Sequence, residues 1–320
     1  MDFPLMPPVM DDAIAAAAAW LAAGHRVALG TVVASWGSAP RGPGSQMAVR
    51  DDGIFAGSVS AGCVENEVIA AALETLKDGK PRNLEFGVTD DMAWSAGLAC
   101  GGRIGIFVEA ADAALLDGLR TGKPVVRALD LKGQYRFIDP STDKFAAEAA
   151  RADKSGMAEN GWFLEVHNPP LELVIVGAVH IAQVLWPMAR LANYRVRIID
   201  PRTGWANAAR FEGAALVHAW PGEALAAEPL GPRSALVVLA HDPKIDDPAL
   251  LAGLASPAFY LGALGSKKSH AARLERLAAA GATPEQLGRI HGPVGLAIGA
   301  RNPGEIALSI LAQMTQTLRN

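Results

Sequence analysis

The thirty residues from Leu171 to Asp200 constrain the fold of this chain more than any others. Residues 171–176 are a continuous apolar run, residues 181–191 carry an apolar face at helical spacing, and residues 196–199 are a second apolar run ending at Asp200. A strand that is apolar throughout must be covered on both faces, and strand, helix, strand in that order is a crossover unit of a parallel sheet. Residues 215–218, 235–240 and 258–261 supply further short strands, and residues 269–280 and 305–318 read as helices. The second half is expected to be a Rossmann-like domain.

The first half has a different grammar. Residues 12–23 read as an alanine-rich helix stopped by Gly24, and residues 26–36 have the valine and threonine content of a strand. That strand runs into Gly37-Ser38-Ala39-Pro40-Arg41-Gly42-Pro43-Gly44, where glycine and proline forbid regular structure. Residues 46–49 and 54–60 flank Asp51-Asp52-Gly53 as a hairpin, and residues 65–78 form a helix closed by Gly79. Residues 103–109, 125–131, 135–138 and 162–167 are strands, residues 113–119 a short helix, and residues 141–160 polar and weakly patterned. The fold class is α/β: an N-terminal mixed α/β domain over residues 1–168 and the Rossmann-like domain over 169–320. A chain of 320 residues is long enough for two cores.

Apolar residues make up 50% of the chain and charged residues 19%, a balance suited to packed globular domains and not to disorder. A net charge of -4 gives no electrostatic basis for a nucleic-acid partner. The opening residues have no basic region leading into an apolar one, and residues 13–23 are too short to cross a bilayer, so a soluble, cytoplasmic protein is expected. Two cysteines form no disulfide framework and are expected as thiols.

One of them lies in Gly57-Ser58-Val59-Ser60-Ala61-Gly62-Cys63-Val64-Glu65, a glycine-rich turn at a helix start. Unpaired backbone N–H groups there would favour an anion and lower a thiol pKa, which makes Cys63 either a reactive or ligating sulfur or a small buried apolar residue. Cys100 precedes Gly101-Gly102 in a second tight turn and is open to the same two readings. Trp36 either stacks on a ligand or closes the edge of a core.

In the second half, a dinucleotide-binding turn would place glycines at 177, 179 and 182, and the chain has Gly177, Val179 and Ala182. Asp200 stands where an acid can accept from ribose hydroxyls, and His180, at the helix start, either meets a phosphate or caps its helix. His241 and Asp246 follow a strand at the carboxyl edge of the sheet, as ligand contacts or loop caps. Gly262, Gly265, Ser266, Lys267 and Lys268 form a glycine turn with two cations ahead of a helix, without the spacing of a nucleotide-triphosphate loop. The histidines and cysteines have no zinc spacing, Asp51-Asp52 and Asp90-Asp91 read as turn residues, and there is no Gly-x-Ser-x-Gly elbow.

Together, Gly37-Ser38-Ala39-Pro40-Arg41-x-Pro43-Gly44, the Gly57 to Glu65 turn and Cys100-Gly101-Gly102 resemble the XdhC/CoxI family of maturation factors for xanthine and carbon monoxide dehydrogenases. The second half resembles it in Gly177-Ala178-x-His180, Asp200-Pro201-Arg202, His241 with Asp246, Leu261-Gly262-x-Leu264-Gly265-Ser266-Lys267-Lys268 and Ile290-His291-Gly292-Pro293-Val294-Gly295. Val179 and Ala297 depart from the family's usual glycine and aspartate. The resemblance implies an accessory protein that binds the molybdenum cofactor, protects it during sulfuration and hands it to an apo molybdenum hydroxylase, with a cysteine desulfurase as second partner. It implies that Cys63 touches the metal-sulfur centre with Glu65 beside it, that Cys100 is a second contact, and that Arg41, Gly62 and Gly101 meet phosphate or pterin. Gly177, His180, Asp200, His241, Ser266 and Lys267 would face a nucleotide in the C-terminal domain. A homodimer is expected, to enclose a large cofactor. The competing readings are a nucleotide-dependent oxidoreductase and a purely protein-binding assembly factor.

Overall fold

The computed structural model describes residues 13–37, 39, 41–87 and 102–319, which form two compact units meeting at Pro169 and Pro170. The first unit contains α1 (Ala13–Ala22), β1 (Val27–Trp36), β2 (Gln46–Arg50), β3 (Phe55–Gly57), α2 (Glu65–Asp78), β4 (Arg82–Phe86), β5 (Arg103–Ala111), α3 (Ala113–Leu119), β6 (Val125–Leu129), β7 (Tyr135–Ile138), α4 (Lys144–Ala152), β8 (Gly156–Met157) and β9 (Phe163–His167). Its strands make a five-stranded antiparallel sheet in the order β3-β2-β1-β5-β4 and a four-stranded one in the order β7-β6-β9-β8.

Alternation along the central strand explains the larger sheet. Ala28 and Val32 of β1 face Val64, Val68 and Ala72 around α2, whereas Val27 and Leu29 face Ala17 of α1 and Leu115 and Leu116 of α3. Gly30 is small because a Cβ there would lie 3.0 Å from Val68 Cγ1. Val33 and Phe107 of this sheet pack against Leu129 and Phe163 of the other. The polar segment 141–160, weakly patterned in the sequence, contains α4, whose start is fixed by Asp143 accepting from the N–H groups of Phe145 and Ala146. The second hairpin strand, expected over 54–60, ends at Gly57, where a φ of 79° turns the chain out of the sheet.

The second unit contains β10 (Leu171–Val176), α5 (His180–Leu191), β11 (Tyr194–Ile199), β12 (Ala215–Val217), α6 (Pro221–Ala227), β13 (Ser234–Val238), α7 (Pro243–Leu254), β14 (Tyr260–Ala263), α8 (Lys267–Ala279), α9 (Pro284–Leu287), β15 (Ile290–His291) and α10 (Pro303–Arg319). Its six strands are all parallel, in the order β12-β11-β10-β13-β14-β15. Counted from β10, this is the 3-2-1-4-5-6 order of a Rossmann-like sheet. Leu173 and Ile175 point into one core with Leu185 of α5 and Ile310 of α10, while Val174 and Val176 point into another with Leu250 of α7 and Leu277 of α8. Both faces are covered, as the continuous apolar strands require. No helix among the described residues is long and apolar enough to cross a membrane.

Candidate functional site

Strand register brings two loops of the first unit and the start of β5 to one end of its larger sheet. Thr31 pairs with Gln46, Met47 with Gly57 and Trp36 with Arg103, so the end of β1, the start of β2, the end of β3 and the start of β5 lie together. The loops leaving β1 and β3 carry residues 37–44 and 57–65, and Gly102 precedes β5. Two contacts tie these loops to one another. Arg41 Nε donates to the carbonyl of Ser58 at 3.2 Å. A Cβ on Gly102 would fall 2.8 Å from the amide nitrogen of Ala39 and 3.0 Å from the carbonyl oxygen of Trp36, so residue 102 can lie this close to the first loop only as glycine. Cys100 and Gly101 lie outside the described residues. Trp36 is exposed on the same edge.

The loop bearing Cys63 is held by Glu65. Glu65 Oε1 accepts from Ser58 Oγ at 2.8 Å and from the Ser60 amide at 2.9 Å, and Oε2 accepts from Ser60 Oγ and from the Gly62 amide at 2.9 Å. Ser60 Oγ in turn accepts from the amides of Cys63 and Val64, and Ser58 Oγ from that of Ala61. Five consecutive N–H groups, Ser60 to Val64, are thereby satisfied within the loop, which corrects the expectation that they are unpaired at the helix start. The anion at this helix end is the Glu65 carboxylate itself. Burial pushes its pKa up, but the hydrogen bonds from Ser60, Ser58 and the backbone outweigh that and bring it to about 2. Cys63 is half-buried and packs beside the core formed by Val59, Val64 and Val68. Gly57 has no room for a side chain, because a Cβ there would strike the carbonyl oxygen of Gln46.

In the second unit, the other expected site residues stand on loops at the carboxyl edge of the parallel sheet, where open α/β folds bind ligands. His180 is exposed at the first position of α5, His241 is exposed after β13 with a φ of 58°, and Ser266 caps α8 by accepting from the Ser269 amide, with Lys267 exposed at its first position. The helix expected to begin at Ser269 begins two residues earlier for that reason. Gly177, with a φ of 106°, lets β10 pass the β13 loop so closely that a Cβ would fall 2.5 Å from the Ala240 amide nitrogen. Asp200 is fully buried. It accepts from the Ala178 amide at 2.8 Å, the Arg202 amide at 2.9 Å and the Arg202 guanidinium at 2.8 and 2.9 Å. Burial raises its pKa, but these bonds hold it below the usual carboxylate range.

Asp246 is not exposed at this edge but buried in the first turn of α7, 3.6 Å from Arg273 of α8. Burial pushes its pKa up to about 6, against the pull of Arg273. No group of three or more His, Cys, Asp or Glu among the described residues could hold a metal ion.

The model for the XdhC and CoxI family matches residues 20–87, which hold the first two site loops, and that for the XdhC Rossmann domain matches residues 173–314. The chain is 30% identical over 299 residues to the molybdenum cofactor insertion chaperone PaoD of Escherichia coli strain K12, spanning 92% of this chain and 84% of that protein. The chain belongs to the XdhC and CoxI family. It is also 27% identical over 312 residues to a Bacillus subtilis strain 168 protein named as a probable subunit of xanthine dehydrogenase, covering 90% of this chain and 92% of the other. A crystal structure described as a xanthine dehydrogenase from Bacillus halodurans superposes with a TM-score of 0.77 at 26% identity, over 96% of this chain and 95% of that one.

Within this family member, the residues that sequence reasoning did not single out are Ser58 and Ser60. A pair of hydroxyls a few residues ahead of an acid at a helix start is a capping signal, and here it is the lock that shapes the Cys63 turn.

Proposed function

We propose that this XdhC and CoxI family member is an accessory factor in molybdenum hydroxylase maturation, which binds the molybdenum cofactor as cargo, shields it during sulfuration and delivers it to an apo enzyme of the xanthine dehydrogenase type. The observation that carries this reading is the meeting of the Arg41 loop, the Cys63 loop and Gly102 at one sheet end. A molybdenum dithiolene with a sulfido ligand is anionic and open to hydrolysis, so a carrier needs a cation, a soft donor and cover from water. Arg41 supplies the cation and Cys63 the soft sulfur. Glu65 does not touch the cargo in this reading; it fixes the turn that presents Cys63. The sulfur donor would be a cysteine desulfurase, and the cofactor would leave with its added sulfur for the apo hydroxylase. The relative PaoD, a cofactor insertion chaperone by name, supports the assignment.

The test is titration of the purified protein with molybdenum cofactor released anaerobically from a molybdoenzyme, reading protein-bound molybdenum and pterin for wild type and Cys63→Ala. Stoichiometric binding that is lost in a folded Cys63→Ala variant is the expected result. Absence of binding by folded wild type would remove the carrier reading and leave a scaffold that recognises only the apo enzyme.

A further inference from the structure

Where a sheet of order 3-2-1-4-5-6 binds a dinucleotide, the ligand lies across the switch point between its first and fourth strands, here β10 and β13. Such a ligand needs three things from the chain: backbone N–H groups of the first turn aimed at the pyrophosphate, no side chain where the backbone approaches it, and an acid at the end of the second strand for the ribose hydroxyls. Here the Ala178 amide, the residue at 179 and the acid at 200 are each committed elsewhere. The Ala178 amide donates inward to Asp200, and the Ala178 carbonyl accepts from Arg210 Nη1 at 2.9 Å, so the turn is clamped from both sides. Val179, not glycine, is the N-cap residue of α5 and packs against the core. Asp200 has no exposed surface, and both its oxygens are taken by Ala178 and Arg202. Arg202 and Arg210 also lie over the ring of Trp205, at 4.8 and 5.6 Å, which fixes both guanidinium groups on the loop after β11.

We infer that the residues at this switch point do not fit a nicotinamide or flavin dinucleotide, and that Asp200, Arg202 and Arg210 form a brace that closes the turn a dinucleotide would use. Asp200 is then a positioning residue for the β10 turn and reads no ribose. The inference concerns the second unit alone and stands whether or not the first unit carries the molybdenum cofactor.

Calorimetric titration of the full chain with NADH, NADPH and FAD tests it, with a dehydrogenase of known NADH affinity as control, alongside melting curves of wild type, Asp200→Asn and Val179→Gly. Wild type and Val179→Gly are expected to show no saturable binding with Kd below about 1 mM. Asp200→Asn is expected to melt about 5 °C or more below wild type, since it loses the charge that holds Arg202. Saturable binding by wild type overturns the exclusion, whether or not Asp200→Asn removes it. Binding gained by Val179→Gly overturns the argument from engaged donors, because crowding by valine would then have been the sole obstacle. An Asp200→Asn variant that melts with wild type overturns the brace.

Discussion

Arg127 Nη2 lies 2.7 Å from Glu109 Oε2, an ion pair that joins the two sheets of the first unit with the guanidinium wholly buried. The same guanidinium reaches Glu165 Oε2 at 3.2 Å, and Glu165 Oε1 accepts from Gln46 Nε2 at 2.6 Å. One cation thus serves two carboxylates. Removing it leaves two buried carboxylates without their shared cation, so Arg127→Ala should destabilise the first unit by about 3–5 kcal/mol, measured by denaturant unfolding. A loss under about 1 kcal/mol would mean that water or a shifted side chain replaces the guanidinium at little cost.

The two carboxylates respond differently to pH because they divide that charge unequally. Glu165 has His167 at 3.2 Å as well as Arg127, and although burial pushes its pKa up, His167 and Arg127 bring it below the ordinary value. Burial dominates at Glu109 and lifts it to about 7, from an ordinary value of 4.5. A raised acid binds its proton more tightly folded than unfolded, so the stability tied to Glu109 is complete below pH 4.5 and falls as pH rises towards 7. Glu109→Gln should flatten the decline in stability across that window. Unfolding curves at several pH values, compared between wild type and variant, check this; parallel declines would place the titration elsewhere.

Glu65 has the opposite sign. Its folded pKa of about 2 lies below the ordinary 4.5, so its contribution is present above pH 4.5 and lost as pH falls towards 2. Glu65→Ala removes the acceptor for five donors at once and should lower stability by on the order of 3 kcal/mol. Backbone hydrogen exchange at Ser60, Gly62 and Val64 should rise more than in α2. Unchanged exchange at those amides would show that Ser60 and Ser58 hold the turn without the carboxylate.

The Rossmann-like sheet was legible because its strands are apolar on both faces and its crossovers are short, features written into consecutive residues such as Leu171 to Val176. The helix α7 was not, since Pro243 and Pro248 break the apolar pattern although the first sits at a tolerated initial position. At the candidate site, the family resemblance singled out Cys63, Arg41 and Glu65, in two separate motifs, and placed Glu65 beside the ligand. Whether a carboxylate faces a ligand or its own backbone depends on the turn geometry, with Ala61 at a φ of 60° and Gly62 at 112°, and that is not encoded in any local spacing. Asp200 repeats the lesson: its place at a strand end was evident, but its capture by Arg202, two residues on, needed the folded loop.

The glycines of the site loops divide by what surrounds them, which gives a last test. Gly102 faces Ala39 and Trp36 backbone within 3.0 Å, whereas a Cβ on Gly42 would meet nothing within 4 Å, and the backbone at Gly42 is not left-handed. Backbone cannot yield as the end of a flexible side chain does, so Gly102→Ala must push residue 102 and the start of β5 away from the first loop, at about 1–3 kcal/mol. Gly42→Ala should change stability by less than about 0.5 kcal/mol. If the junction of these loops forms the cargo site, Gly102→Ala also lowers molybdenum cofactor retention at temperatures where it remains folded, and Gly42→Ala does not. Thermal melts and bound-molybdenum assays on the two variants separate the effects. Equal retention by both would show that the cofactor does not depend on Gly102 and would move the cargo contact to the Arg41 and Cys63 loops alone.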